Sequence, residues 1–259
     1  MGGNYRFMNI TRRFFASKIR EVGLTTITAH SACEGTEPNS REHIIAGISS
    51  GAEYIEIDIR YDGKKLYLAH DDKEDPEECV SFDELLSLVA PYPTISLNCD
   101  VKTDGLLELV ANAASEYGMT ESGRILFTGQ CNHRPKECAA LGADLWHSLF
   151  YLRRGANAEE IKEFNEGQIR DAVEYCKSTG CPYINLSYLL VNENNIAYVK
   201  EHGLDYSVWT VDDEDMIRHL LEMKVANITT RKPVLALKLR DEIQGRPEDF
   251  KIKPYDQLK

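Results

Sequence analysis

The chain has 259 residues, 42% hydrophobic and 28% charged, a balance that suits a globular protein with one large core. Its formal charge of −12 argues against nucleic-acid binding, which needs a basic surface, and against attraction to anionic membranes. No stretch approaches the roughly 18 apolar residues of a membrane helix, so stable membrane insertion is not expected.

At the start, Thr11-Arg12-Arg13-Phe14-Phe15 is similar to a twin-arginine export signal. The polar Ser17-Lys18-Ile19-Arg20-Glu21 follows where an apolar region and a cleavage site belong. Residues 1–22 therefore read as an amphipathic lead-in to a cytoplasmic protein. Strand-like runs then cover 24–30, 54–60, 95–101, 124–129, 144–149, 183–187, 206–211 and 226–230, with a short extra strand at 65–69. Helical patterns fill the gaps at 40–50, 82–90, 104–117, 134–141, 159–178, 191–202, 212–223 and 232–242. In 104–117 the expected apolar face is Leu106, Leu107, Leu109, Val110 and Ala113, with Glu108 and Glu116 outward. Gly203 is placed to end one helix and Asp212 to cap the next. The tail after Gly245 is expected to pack outside the core or fray.

Eight strand–helix units in one domain of this length predict an α/β fold, a (β/α)8 TIM barrel. An open doubly wound sheet is the alternative, and no G-x-G-x-x-G or P-loop pattern supports it. Seven scattered cysteines with no C-x-x-C spacing suggest reduced thiols, with Cys99 a small core residue.

The chemistry concentrates at strand ends. In Tyr54-Ile55-Glu56-Ile57-Asp58-Ile59, two carboxylates share one face of an otherwise apolar strand. Like charges buried together are costly unless a cation lies between them. The solvated edge-strand reading sits poorly with Ile55, Ile57 and Ile59. Asp100-Val101-Lys102 repeats the spacing, and His30 and His70 end neighbouring strand-like segments. Carboxylates without clustered Cys or His suit one hard divalent cation, Mg²⁺ or Ca²⁺. Two imidazoles near such a cation can divide general base and general acid work. Lys102 reads as a buried ammonium paired with carboxylates or phosphate, and Trp209 as either core or pocket wall. His43, His133, His147, His202 and His219 read as structural.

Taken together these residues resemble the glycerophosphodiester phosphodiesterase family, within the phosphatidylinositol-phospholipase-C-like phosphodiesterases. The family pattern opens with His-Arg-Gly and Pro-Glu-Asn-Thr, then Gly-Ala-Asp, Ile-Glu-x-Asp, an Asp-Gly turn and His-Asp. The chain has Ala29-His30-Ser31-Ala32, Glu37-Pro38-Asn39-Ser40, Gly51 to Asp58, Asp62-Gly63 and His70-Asp71 in that order. Leu97 to Lys102 matches the strand with the third carboxylate, and Val208 to Val211 and Val225 to Pro233 resemble the last two strands.

The resemblance implies a (β/α)8 barrel in which Glu56, Asp58 and Asp100 hold the cation, His30 and His70 are the acid–base pair, and Lys102 contacts the phosphate. It implies a small phosphodiester substrate such as a glycerophosphodiester, cleaved through a cyclic phosphate formed by a substrate hydroxyl and then opened by water. The chain departs from the pattern at Ser31, which replaces the family arginine, and at Pro38, which stands where a glutamate belongs, leaving Glu37 to compensate if the loop shifts. Asp100 replaces the usual glutamate, as in sphingomyelinase-D-like relatives, and the stretch from His70 to Asp100 is short. A silent barrel that binds a phosphorylated ligand, and a lyase with Lys102 as a Schiff base, are the competing readings. Oligomeric state is not legible.

Overall fold

A computed structural model describes Ala16, Ile19 and residues 23–72, 74–149 and 158–245, with side chains described from residue 167 onward in the last segment. The lead-in 1–22, apart from those two residues, and the tail after Gly245 lie outside the described residues.

Ten strands form one sheet: β1 (Thr26–Ala29), β2 (Tyr54–Tyr61), β3 (Leu66–Leu68), β4 (Ser96–Val101), β5 (Ile125–Gly129), β6 (Asp144–Leu145), β7 (His147–Leu149), β8 (Tyr183–Ser187), β9 (Asp205–Trp209) and β10 (Asn227–Thr230). Nine are parallel, in the order β6-β5-β4-β2-β1-β10-β9-β8-β7, and β3 adds to β2 as the short antiparallel strand expected at 65–69. The strands at the two ends of that order, β6 and β7, are consecutive in sequence and flank Trp146. They are two halves of one stave, so the sheet is a nearly closed barrel. The single strand expected at 144–149 is interrupted at Trp146, whose indole is fully buried in the barrel floor while its backbone N–H donates to the Phe127 carbonyl at 3.1 Å.

The helices α1 (Arg41–Ser50), α2 (Phe82–Val89), α3 (Leu107–Glu116), α4 (Pro135–Ala140), α5 (Ala158–Thr179), α6 (Glu193–Glu201), α7 (Glu214–Glu222) and α8 (Pro233–Gln244) alternate with the strands. Among the described residues no helix is long and apolar enough to cross a membrane. Local chemistry sets many of their ends. The Ser40 hydroxyl accepts from His43 N–H at the start of α1, and Asn192 and Asn195 form a reciprocal capping box on α6. Gly203, at φ 76°, follows α6 in the left-handed conformation that suits glycine.

Two expectations are corrected. The buried stripe of α3 is Leu107, Val110, Ala111 and Ala114, the i, i+3, i+4, i+7 set. Leu109 faces solvent beside Glu108, because at about 100° per residue it falls on the side of the helix away from that stripe. The cap of α7 is Asp213, which accepts from Met216 N–H at 3.0 Å. Asp212 is occupied elsewhere, taking hydrogen bonds from Arg231.

The barrel interior is layered by the two-residue period of its strands. Tyr54, Leu126, Trp146 and Tyr183 form an apolar floor with Ala16, and Trp146 packs edge-on against both tyrosines at 5.3–5.4 Å between ring centroids. Two residues further along the same strands come Glu56, Thr128, Ser148 and Asn185, all lining a cavity. The opposite wall is also polar and satisfied: Asn227 accepts from the Thr26 and Thr28 hydroxyls and donates to Ser207. The intervening outward residues, such as Ile55, Ile57, Leu97 and Cys99, join the main core under the helices. All seven cysteines are free thiols, and six are buried.

Charged residues also lock the face away from the cavity. Arg240 pairs with Glu53 at 2.9 Å in a site where both side chains are buried, and Glu53 also accepts the Ile27 N–H. The buried Arg124 guanidinium donates to four backbone carbonyls at the end of α2 and in the turn after it.

Candidate active site

A cavity of about 370 Å³ opens at the carboxyl ends of the strands. It is lined by His30, Ser31, Glu56, Asp58, His70, Asp100, Lys102 and Trp209 among others, so the strand periodicity brings eight of the nine expected site residues to one place. Glu37 is the ninth. It is exposed on the loop before α1 and outside the lining, and its carbonyl accepts the Ser40 hydroxyl.

The parallel pairing of β2 and β4 sets Asp58 opposite Asp100, and Glu56 lies two residues back on the same face as Asp58. Oxygens of these three carboxylates lie within 4.8 Å of one another. Lys102 follows Asp100 by two residues, and its ammonium bridges Asp58 at 2.7 Å and Asp100 at 2.5 Å. Ser31 gives its N–H to Glu56 at 2.8 Å, and its hydroxyl lies 3.4 Å from His30 Nδ1.

Two residues that sequence reasoning left out of the site complete it. Asn39, buried and at φ 55°, donates to the Asp58 carboxylate at 2.7 Å and accepts the Asp58 N–H at 3.1 Å. Its place at the asparagine of the Pro-Glu-Asn-Thr pattern is the sequence signal that could have found it. Gly129 ends β5 at φ 91°, and a Cβ there would overlap the Asp100 carboxylate and the Val101 carbonyl. A glycine closing a strand marks such close approaches.

The electrostatics follow from burial and one shared cation. Burial raises the Glu56 carboxyl well above the usual carboxylate range, and Asp58 and Asp100 push it further. Burial works the same way on Asp58, but the Lys102 ammonium and the Asn39 amide outweigh it and hold that carboxyl low. Asp100 ends up raised, since its burial exceeds the help from Lys102. Lys102, between two carboxylates, is held firmly protonated despite its own desolvation. Burial, seconded by the Arg231 charge, lowers His30 from 6.5 to about 4, so it is neutral at pH 7. His70 sits at the rim with its side chain 66% exposed, and its carbonyl is gripped by Arg60.

The donor set fits a divalent cation. Three carboxylates and one ammonium leave a formal charge of −2, and among the described residues one N–H, that of Ser31, stabilises the Glu56 anion. Oxygens bound to one Mg²⁺ or Ca²⁺ at about 2.0–2.6 Å lie at most about 4–5 Å apart, which the cluster satisfies. An all-oxygen set favours a hard ion.

Neither a protein-family model nor a curated protein matches this sequence. Solved structures do. A protein from Agrobacterium tumefaciens described as a glycerophosphoryl diester phosphodiesterase superposes with a TM-score of 0.71 at 17% identity, over 86% of this chain and 100% of the other. A glycerophosphodiester phosphodiesterase from Parabacteroides distasonis gives 0.62 at 17% identity, over 84% and 97%. An Oleispira antarctica phosphodiesterase in complex with its product sn-glycerol-3-phosphate gives 0.64 at 15% identity, over 84% and 97%. At these identities the likeness is one of architecture: the chain has the (β/α)8 barrel fold of glycerophosphodiester phosphodiesterases.

Proposed function

We propose that this protein is a metal-dependent phosphoric diester hydrolase acting on a small phosphodiester such as a glycerophosphodiester. The observation that carries the reading is the Glu56–Asp58–Asp100 cluster, cross-linked by Lys102 and facing His30 and His70 across one cavity at the catalytic end of a barrel. The product-bound Oleispira antarctica neighbour, of the same fold, supports the substrate class.

Glu56, Asp58 and Asp100 would hold one divalent cation, Mg²⁺ or Ca²⁺, which when bound supplies positive charge to a phosphoryl oxygen. Neutral His30 accepts the proton of the attacking substrate hydroxyl as its oxygen bonds to phosphorus, giving a cyclic phosphate. His70, at the wet rim, donates a proton to the departing alcohol oxygen as its bond to phosphorus breaks. Water then opens the ring with the two imidazoles in exchanged roles, which returns both to their starting states. Lys102 holds the Asp58 carboxyl low, partly offsets the burial of Asp100, and presents its positive charge to the phosphoryl oxygens, while Ser31 holds Glu56 and steadies the His30 ring. Trp209 walls the cavity. A cytoplasmic setting agrees with the free thiols.

The test is hydrolysis of a panel of glycerophosphodiesters and lysophospholipid-type diesters with Mg²⁺ or Ca²⁺. Turnover that a chelator removes, with Asp58→Asn and His30→Ala each at least about 10²-fold slower, is expected. No turnover on any member would dismiss the proposal.

A further inference from the structure

The cavity has a shortage of positive charge for holding a phosphodiester anion. Lys102 already spans two carboxylates, and Ser31 stands where the family pattern has an arginine. Arg231 lies beside that position. In the β1–β10 ladder Ala29 pairs with Thr230, and His30 N–H donates to the Thr230 carbonyl at 2.9 Å, so Arg231 is the first residue after the strand end that holds His30. Adjacent strands are about 4.8 Å apart, so the Arg231 backbone stands beside that of His30 at the end of the barrel that carries the cavity. Thr229, two residues before Arg231, and Thr210, two residues before its partner Asp212, line the cavity, and Arg231 itself stands outside that lining.

Arg231 is also held in place. Its N–H donates to Asp212 Oδ1 at 2.8 Å, its carbonyl accepts Glu34 N–H at 2.8 Å, and its Nη1 donates to Asp212 Oδ2 at 2.6 Å. That ion pair uses one corner of a fork with five donors. Among the described residues, Nε and Nη2 take no hydrogen bond, and the side chain is 49% exposed. Burial is the main cause of the lowered basicity of the His30 ring, and the Arg231 charge adds to it.

We propose that Arg231 grips a non-bridging oxygen of the substrate phosphoryl group, doing from β10 what an arginine at position 31 would do from β1. The assignment rests on the phosphodiesterase reading, and it divides the labour of the cavity. The carboxylate side takes the cation, and the β1–β10 side takes the anion. Asp212 then acts as a positioning residue that aims the fork.

The experiment compares wild type with Arg231→Lys and Arg231→Gln. It measures kcat and KM on the phosphodiester panel, and separately the affinity for inorganic phosphate by calorimetry in the presence of Mg²⁺. Arg231→Lys keeps the charge and the Asp212 pair, so a merely structural arginine would tolerate it, and it also covers the case in which Arg231→Gln fails to fold. A lysine that spends its single charge centre on Asp212 loses the fork. The expected result is a loss of about 10- to 100-fold in kcat/KM and a weakening of phosphate binding of similar size in Arg231→Lys, with an unchanged melting temperature. Turnover and phosphate affinity within twofold of wild type in Arg231→Lys overturns the Arg231 assignment and leaves the hydrolase reading standing. Wild type without turnover, but with phosphate binding that Arg231→Lys weakens, sinks the reaction and keeps the anion site. The absence of both activity and phosphate binding in wild type overturns the two together.

Discussion

His43 allows a quantitative test of how the site is buried. It is fully buried on α1, its two ring nitrogens have no hydrogen-bond partner among the described residues, and burial lowers its pKa from 6.5 to about 4. The charges it feels are His30 and Asp58. Because the folded value lies below the unfolded one, the unfolded chain binds more protons between pH 4 and 6.5. The stability contribution is therefore fully present above about pH 6.5 and is lost as pH falls towards 4. With these two values the His43 contribution at pH 5 is about 2 kcal/mol less than at pH 8, and the full loss is about 3 kcal/mol. His43→Leu removes the titration and also two unsatisfied nitrogens. Urea unfolding of wild type and variant, followed by tryptophan fluorescence at pH 8 and pH 5, measures the difference. The His30 shift is of the same sign and present in both proteins, so it largely cancels. The variant should gain about 2 kcal/mol on wild type between pH 8 and pH 5. A gap that stays constant with pH would refute the claim that His43 is buried neutral.

Other substitutions separate the metal cage from the scaffold. Gly129→Ala forces a methyl group onto the Asp100 carboxylate, so calorimetric Mg²⁺ or Ca²⁺ affinity should fall about 10- to 100-fold; unchanged affinity would mean Asp100 is not a ligand. Asn39→Gly tolerates the positive φ but deletes both amide contacts to Asp58, and turnover should drop about 10-fold with a small change in melting temperature. Arg240→Ala leaves Glu53 charged and buried without its partner, at a cost of about 3–5 kcal/mol in denaturant unfolding; a loss below about 1 kcal/mol would contradict the buried pair.

Much of the site was legible because period-2 patterning is a local property. Tyr54 to Ile59 alternates apolar and acidic residues, and only a buried strand with something to do on one face tolerates that pattern. His30, His70 and Lys102 were readable for the same reason, since each sits where a strand-like run stops. Helix ends written in local hydrogen bonds, at Ser40 and Asn192, are equally readable. Misreadings arose where two local choices were equivalent. Asp212 and Asp213 can each cap α7, and the choice fell to Arg231, which is distant in sequence and claims Asp212. Leu109 looked like a core residue until the first turn of α3 fixed the helix phase.

The sequence alone determined that strands and helices alternate and that the acidic pair is buried on one strand face. These follow from residue spacing and composition, which need no knowledge of what packs against what. Tertiary structure alone decided that Asp100 stands opposite Asp58, that Lys102 bridges the two, and that Trp146 splits a stave to plug the barrel floor. Each of these depends on register between strands tens to hundreds of residues apart. Register is set by closing the barrel as a whole, through contacts that no local window of sequence contains.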